Sequence, residues 1–261
     1  MICFFAALLI LFSPPVFAQD ALPAWQENAV AVELPDYVAP MIAIVIDDMG
    51  INRRMTRKAI ELPAPITTSF LPYARNLENQ TADARNAGHE LMLHLPMQPF
   101  SPRKNAGPGA LMTDMSESEI YAALDNALAA FDGYVGINNH MGSRFTANSD
   151  LMRIVLNELH RRGLLFLDSV TARSSTAYRI AREIGMPAAK RQIFLDNTES
   201  EIPARLDELE RYASKHGAAI GIGHPRQSTI EALQSWIPDA AERGFVFVPV
   251  STIVAQQMDE D

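Results

Sequence analysis

Eight short apolar runs, most of them followed by an amphipathic segment, constrain this chain of 261 residues more than any other feature. The runs are IAIVI (42–46), ITTSFL (66–71), ELMLHL (90–95), VGIN (135–138), LLFLD (164–168), QIFLD (192–196), AAIGIG (218–223) and FVFVPV (245–250). Runs of this length read as buried strands, and strands that alternate with helical segments build a parallel sheet wrapped in helices. The expectation is an α/β fold, a single distorted (β/α) barrel of about seven to eight strands.

The helical segments carry their own punctuation. Ser116-Glu117-Ser118-Glu119 is a capping box that opens IYAALDNALAAF, and the helix from Asp150 stops at Gly163 after two arginines suited to a helix carboxyl end. The segment STIEALQSWIPDAAERG ends in the same way at Arg243 and Gly244, and its Pro238 is expected to kink or divide that helix.

Before the first run lie two segments of different character. Residues 1–18 hold an apolar run from Ile2 to Phe12, two prolines and a small-residue boundary after Ala18, the pattern of a secretory signal peptide, though with no Lys or Arg ahead of the run. The run is short for a bilayer span, so the mature chain is expected to have no integral membrane span and to be periplasmic or secreted. The sole cysteine, Cys3, would leave with that segment, so any metal must be held by histidine and carboxylate. Residues 19–40, with three prolines among small and acidic residues, read as a flexible linker, and the barrel domain is placed at 41–261. A hydrophobic fraction of 48% can support one large core. The net charge of -9, without clustered Lys and Arg, excludes a binder of nucleic-acid phosphates.

The polar residues of interest share one address. Asp47 and Asp48 follow the first run, His94 lies late in the third, and His140 follows the fourth. Asp168 and Asp196 end the fifth and sixth runs, and His224 follows the seventh. In a parallel barrel all these strand ends meet on one face, where active sites are built. A carboxylate with two imidazoles there would hold zinc or a similar divalent ion, a second carboxylate would serve as general base, and another histidine would protonate a leaving group. Such a set hydrolyses amide or ester bonds. Each residue also has a structural reading: Asp-Asp as a solvated turn, His94 as a core histidine bonded to backbone, Asp168 and Asp196 as helix caps. His89, His160 and His216 sit at helix ends and are left out of the site.

With these positions laid out, the chain resembles the polysaccharide deacetylase family, most closely its divergent bacterial branch, over nearly all of residues 41–254. IVIDDMG is similar to the family's first motif, which implies Asp47 as catalytic base and Asp48 as metal ligand. AGHELMLHLP is similar to the strand that leads to a metal histidine and implies that role for His94. AAIGIGHPRQ is similar to the closing segment and implies His224 as leaving-group acid or its helper. The family's second metal histidine would fall on Gln98, a poor zinc ligand, so His140 in GINNHMGSRFT becomes the candidate. The usual Arg-Pro-Tyr motif is absent, and Arg144 or Arg191 would have to replace its arginine; Asp168 and Asp196 complete the candidates for contacts that support the ligands and base or that touch the substrate. The resemblance implies a zinc-dependent hydrolase acting on an acetylated polysaccharide or peptidoglycan-like polymer. The alternatives are a non-catalytic envelope protein that binds a glycan or another protein through the same face, and a metal hydrolase of phosphoesters or peptide amides. The Pro- and Gly-rich stretch 97–116, directly after His94, would be a substrate-recognition loop or ordered decoration.

Overall fold

The structure is a computed structural model that describes residues 22–63 and 65–259. The segment read as a signal peptide lies outside the described residues, and no helix among them is long and apolar enough to cross a membrane.

The elements follow in the order α1 (Ala24–Glu27), β1 (Met41–Met49), α2 (Arg53–Ile60), β2 (Thr67–Phe70), α3 (Leu77–Asn86), β3 (Glu90–Met97), α4 (Glu117–Leu128), β4 (Gly136–Met141), α5 (Ser149–Arg161), β5 (Leu165–Asp168), α6 (Ala177–Glu183), β6 (Ala188–Lys190), β7 (Ile193–Phe194), α7 (Ile202–His216), β8 (Ala218–Gly223), α8 (Gln227–Glu242), β9 (Val246–Phe247) and α9 (Val250–Asp259). Every strand pairing is parallel, along the path β6-β5-β4-β3-β2-β1-β8-β7, with β9 added beside β1. The fold is therefore the expected (β/α) barrel, left open between β6 and β7. Those two strands share no ladder and are joined only through Arg191 and Gln192.

Side-chain alternation divides the core into two clusters. Ile42, Ile44 and Ile46 of β1 and Leu91, Leu93 and Leu95 of β3 point outward into the layer beneath the helices. Met41, Ala43 and Val45 of β1, Leu165 and Leu167 of β5, and Ile220 and Ile222 of β8 fill the barrel itself. The amino-terminal end of the barrel is closed by Val250, Ile253 and Val254 of α9 and by Trp25 of α1.

Local details depart from the sequence reading in four places. The described part of the segment read as a linker is docked: Trp25 is buried, its backbone N–H donates to Gly163 O at 2.9 Å, and Asn28 Nδ2 donates to Tyr134 O at 3.1 Å. The Trp25 indole, with Val32 packed against the same cluster, supplies apolar area that holds the segment against the barrel end. The last run is strand only over Val246–Phe247, because the chain turns after Pro249 into α9. Strand β6 has no apolar run of its own and was invisible to hydrophobic patterning. Helix α8 continues through Pro238 without dividing. The capping box at Ser116 and Glu119 is present with both of its reciprocal bonds.

Candidate metal centre and its surroundings

Two adjacent carboxylates at the end of one strand should face opposite ways. Here they do not, because Asp48 takes a left-handed backbone, φ 55°, and the pairing of β1 with β2 shifts register between Ile46 and Met49. Gly50, at φ 98°, completes the turn; a Cβ there would lie 2.6 Å from the Ala74 Cβ. The same device recurs on β4, where Met141 at φ 53° and Gly142 at φ 88° turn the chain directly after His140. Val170, just after β5, stands at φ 48°, a costly conformation for a β-branched side chain. These three non-glycine residues in the left-handed region all sit at the carboxyl ends of strands around one mouth.

That mouth opens on a cavity of about 510 Å³, within the size range of small-ligand sites. Asp47, Asp48, His94, His140 and His224 line it, while Phe100, Ser101 and Lys104 of the long loop after β3 form part of its wall. The loop read as recognition element or decoration is thus part of the cavity. Gln98 explains how that loop is held: its Oε1 accepts from Thr113 N at 2.8 Å and from Thr113 Oγ1 at 2.7 Å, while its carbonyl accepts from the Arg144 and Phe145 amides. The amide that stands at the missing-histidine position is occupied as a loop staple.

Three electron-pair donors converge at the mouth. Asp48 Oδ1 lies 2.8 Å from His140 Nδ1 and 3.3 Å from His94 Nε2, and the two ring nitrogens are 3.2 Å apart. Asp48 Oδ1 is buried and accepts no hydrogen bond in good geometry despite these short approaches. Atoms that each bind one tetrahedral ion at about 2.0 to 2.1 Å are separated by roughly 3.3 Å, so the set has the chemistry and the closeness of a divalent-metal site. His140 belongs to it because β3 and β4 are neighbours in register, with Pro96 opposite His140 and His94 opposite Asn138.

Asp47 and His224 flank this set. Asp47 Oδ2 is 3.6 Å from His94 Nε2, and Asp47 is buried. Burial lifts its carboxyl above the ordinary range against the pull of His94 and His224. His224 Nδ1 donates to Asp196 Oδ1 at 2.9 Å, which leaves Nε2 turned to the mouth, 3.8 Å from Asp48 Oδ2. Burial alone would favour the neutral ring, but the Asp196 hydrogen bond and charge outweigh it and raise the His224 pKa. Asp196 is itself saturated, since its Oδ2 accepts from His224 N and Thr229 Oγ1, both at 2.8 Å. Asp196 thus orients His224 and does not face the cavity.

The remaining candidates are not among the residues that line the cavity. Asp168 accepts from Val170 N, Ser175 Oγ and Tyr178 N, which organises the turn into α6. Arg191 donates from Nε to Ser169 O at 2.7 Å and from Nη2 to Val170 O at 2.8 Å, clamping the left-handed turn. Arg144 is exposed and stacks its guanidinium over Phe100 at 5.8 Å. Neither arginine donates to Asp47. The partner of Asp47 is Asn138, whose Nδ2 donates to Asp47 Oδ1 at 2.7 Å. Sequence reasoning missed Asn138, Ser69 and Ser169; the available signal was a pair of amides, Asn138-Asn139, inside an apolar strand. The exclusion of His89 agrees with its place, where the ring joins Ile60 O and Ile66 N behind the sheet.

Comparison with known proteins bears on this arrangement. The sequence model for divergent polysaccharide deacetylases matches residues 44–254. The chain is 36% identical over 202 residues to the uncharacterized protein YibQ of Escherichia coli K12, an alignment covering 77% of this chain and 63% of that protein. An uncharacterized Haemophilus influenzae protein is 35% identical over 203 residues, covering 77% of this chain and 72% of its own length. The crystal structure of the uncharacterized protein ATU2773 from Agrobacterium tumefaciens C58 superposes with a TM-score of 0.86 at 32% identity, covering 93% of this chain and 100% of that one. The catalytic domain of a peptidoglycan N-acetylglucosamine deacetylase from Eubacterium rectale shares the fold, with a TM-score of 0.55 at 14% identity over 86% of this chain and 94% of that one. The match over most of the barrel, Asp47-Asp48 and the paired histidines included, shows that the chain belongs to the divergent polysaccharide deacetylase family.

Proposed function

We propose that this protein is a metal-dependent hydrolase, working in the periplasm, that removes acetyl groups from an N- or O-acetylated cell-envelope polysaccharide. The observation that carries the reading is the meeting of Asp48 Oδ1, His94 Nε2 and His140 Nδ1 within 3.3 Å of one another, beside a buried carboxylate and an aspartate-held imidazole. Those three atoms would hold a divalent ion, zinc by the nature of the donors, which when bound supplies Lewis acidity and an acidified water.

The chain's own groups divide the proton work. Asp47 has one oxygen engaged by Asn138 and the other, Oδ2, free to take the proton of an attacking water. His224 delivers a proton from Nε2 to the departing amine or alcohol as the bond to the acyl carbon breaks, and Asp196 stabilises the charged ring before it does so. Acetate and the deacetylated sugar are the products. A mouth walled by Phe100, Phe194 and Ile222 among polar groups suits an acetylated sugar, which presents both apolar and hydroxyl surface.

The test is the metal content of the chain purified without chelator or affinity metal, together with acetate release from N-acetylglucosamine oligomers and O-acetylated peptidoglycan. Near-stoichiometric zinc, lost in both His94→Ala and His140→Ala, with acetate release that follows it, is expected. A chain that neither retains nor takes up zinc, and binds these glycans without turnover, would replace this reading with a non-catalytic one.

A further inference from the structure

At the centre of the site lies a side chain that faces no solvent and would touch no metal. Asn138 is fully buried on β4, and all four of its hydrogen-bonding positions are used. Its Oδ1 accepts from Ser69 Oγ at 2.6 Å and meets His94 Nδ1 at 2.7 Å. Its Nδ2 meets Asp47 Oδ1 at 2.7 Å and Ser169 Oγ at 3.3 Å. The opposite amide orientation would set oxygen against a carboxylate oxygen at the same 2.7 Å, so the neighbouring carboxylate decides which end is which.

An amide oxygen can only accept, and an amide nitrogen can only donate. His94 must therefore carry its hydrogen on Nδ1, which leaves the Nε2 lone pair pointing at Asp48 and His140. Asp47 must present Oδ1 as an acceptor, which leaves Oδ2 as the oxygen turned toward His94 and the mouth. Ser69 and Ser169, on β2 and just after β5, hold the amide from either side, so it cannot rotate without breaking several buried bonds.

We propose that Asn138 is the positioning residue of this site: one buried amide holds His94 in the tautomer that frees Nε2 and fixes Asp47 by one oxygen so that the other does the work. The ligand and the base are thereby aligned by a single group. The metal and base roles rest on the proposed function, but the tautomer does not.

Two measurements separate these. In the zinc-free full chain at alkaline pH, long-range nitrogen-15 NMR of the histidine rings should show His94 as the Nδ1–H tautomer, and the Nε2–H form would overturn the proposal whatever the protein does with metal. Zinc affinity, measured with zinc alone by chelator competition, should fall about 10- to 100-fold in Asn138→Ala, as loss of a ligand's outer hydrogen bond does. Asn138→Asp keeps an acceptor for His94 but offers Asp47 no N–H, so its zinc affinity should stay close to the parent's while acetate release collapses. Equal weakening of zinc binding in both variants, or parental affinity in Asn138→Ala, would overturn it. A parent that binds no zinc sinks the proposed function and leaves the tautomer to decide this one. Circular dichroism identifies a variant that fails to fold, and the NMR result on the parent then stands as the deciding measurement.

Discussion

The barrel buries a carboxylate near each of its ends, and the two live in different chemistry. At the mouth Asp47 is surrounded by imidazoles, a second carboxylate and an amide donor. At the base Glu90 accepts from Thr67 Oγ1 at 3.0 Å and from the Ser251 amide at 3.2 Å, with the Ser251 hydroxyl and the Val250 backbone close by. Burial pushes the Glu90 pKa up to about 7, so the carboxyl holds its proton through the acidic range, and its hydrogen bonds tie β2, β3 and α9 together. Both acids pay for desolvation, but only Asp47 has positive neighbours to offset it. Depth alone therefore does not make a buried acid a working one; the charges that face it do.

The comparison is tested first at the mouth. Asp47→Asn keeps the acceptor for Asn138, so the fold and zinc binding should survive while acetate release falls by about 100- to 10,000-fold, as removal of a general base does. Unchanged turnover in that variant would move the base elsewhere. At the base of the barrel the opposite pattern is expected. Trp25→Ala should cost about 3 to 5 kcal/mol in denaturant unfolding, with the turnover of the folded fraction intact. A loss below about 1 kcal/mol would mean that α1 contributes little to closing the barrel.

Glu90 gives the third test, through pH. Its folded pKa of about 7 lies above its unfolded value of 4.5, so the protonated form stabilises the fold. That contribution is complete below 4.5 and is lost as pH rises through 7, an effect on the order of 3 kcal/mol. Glu90→Gln should remove this slope from the stability profile between pH 4.5 and 8, with no change in turnover, and a slope that persists would assign it to another group. The smallest effect belongs to Val170→Gly. Release of left-handed strain, about 1 to 3 kcal/mol, is set against the conformational entropy of glycine, about 0.5 to 1 kcal/mol, so thermal unfolding should show a net gain of about 1 kcal/mol. A loss would show that the Val170 side chain contributes more in packing than its backbone costs.

Strands that follow the hydrophobic pattern were legible because burial on both faces leaves a continuous apolar run, as in AAIGIG, whose bounds coincide with β8. The convergence of Asp47, Asp48, His94, His140 and His224 was legible for a topological reason, since parallel strands put every carboxyl end on one face. What remained hidden depends on side chains whose roles come from partners distant in sequence. Asn138 reaches Asp47 across 91 residues, and no local spacing announces that bond. Arg191 could be nominated from charge, but only the carbonyls of Ser169 and Val170 show that it is a clamp. Trp25 lay in a segment whose prolines outweighed one indole in any compositional reading.

The gap between β6 and β7 has a kinetic meaning. A closed ring of ladders opens only by breaking at an internal strand pair, whereas this sheet already has free edges at β6 and β7, bridged by the covalent link through Arg191 and Gln192. Gln192 bonds β8 through its backbone N–H to Ile220 O and through its side-chain oxygen to Ile220 N, while Arg191 reaches back to the β5 turn. The link behaves as the pin of a clasp, and amide exchange in β6 and β7 should report the lowest-energy opening of the sheet, ahead of β1 and β3. Since the same link anchors the turn at Val170, each opening of the clasp would also loosen one side of the mouth.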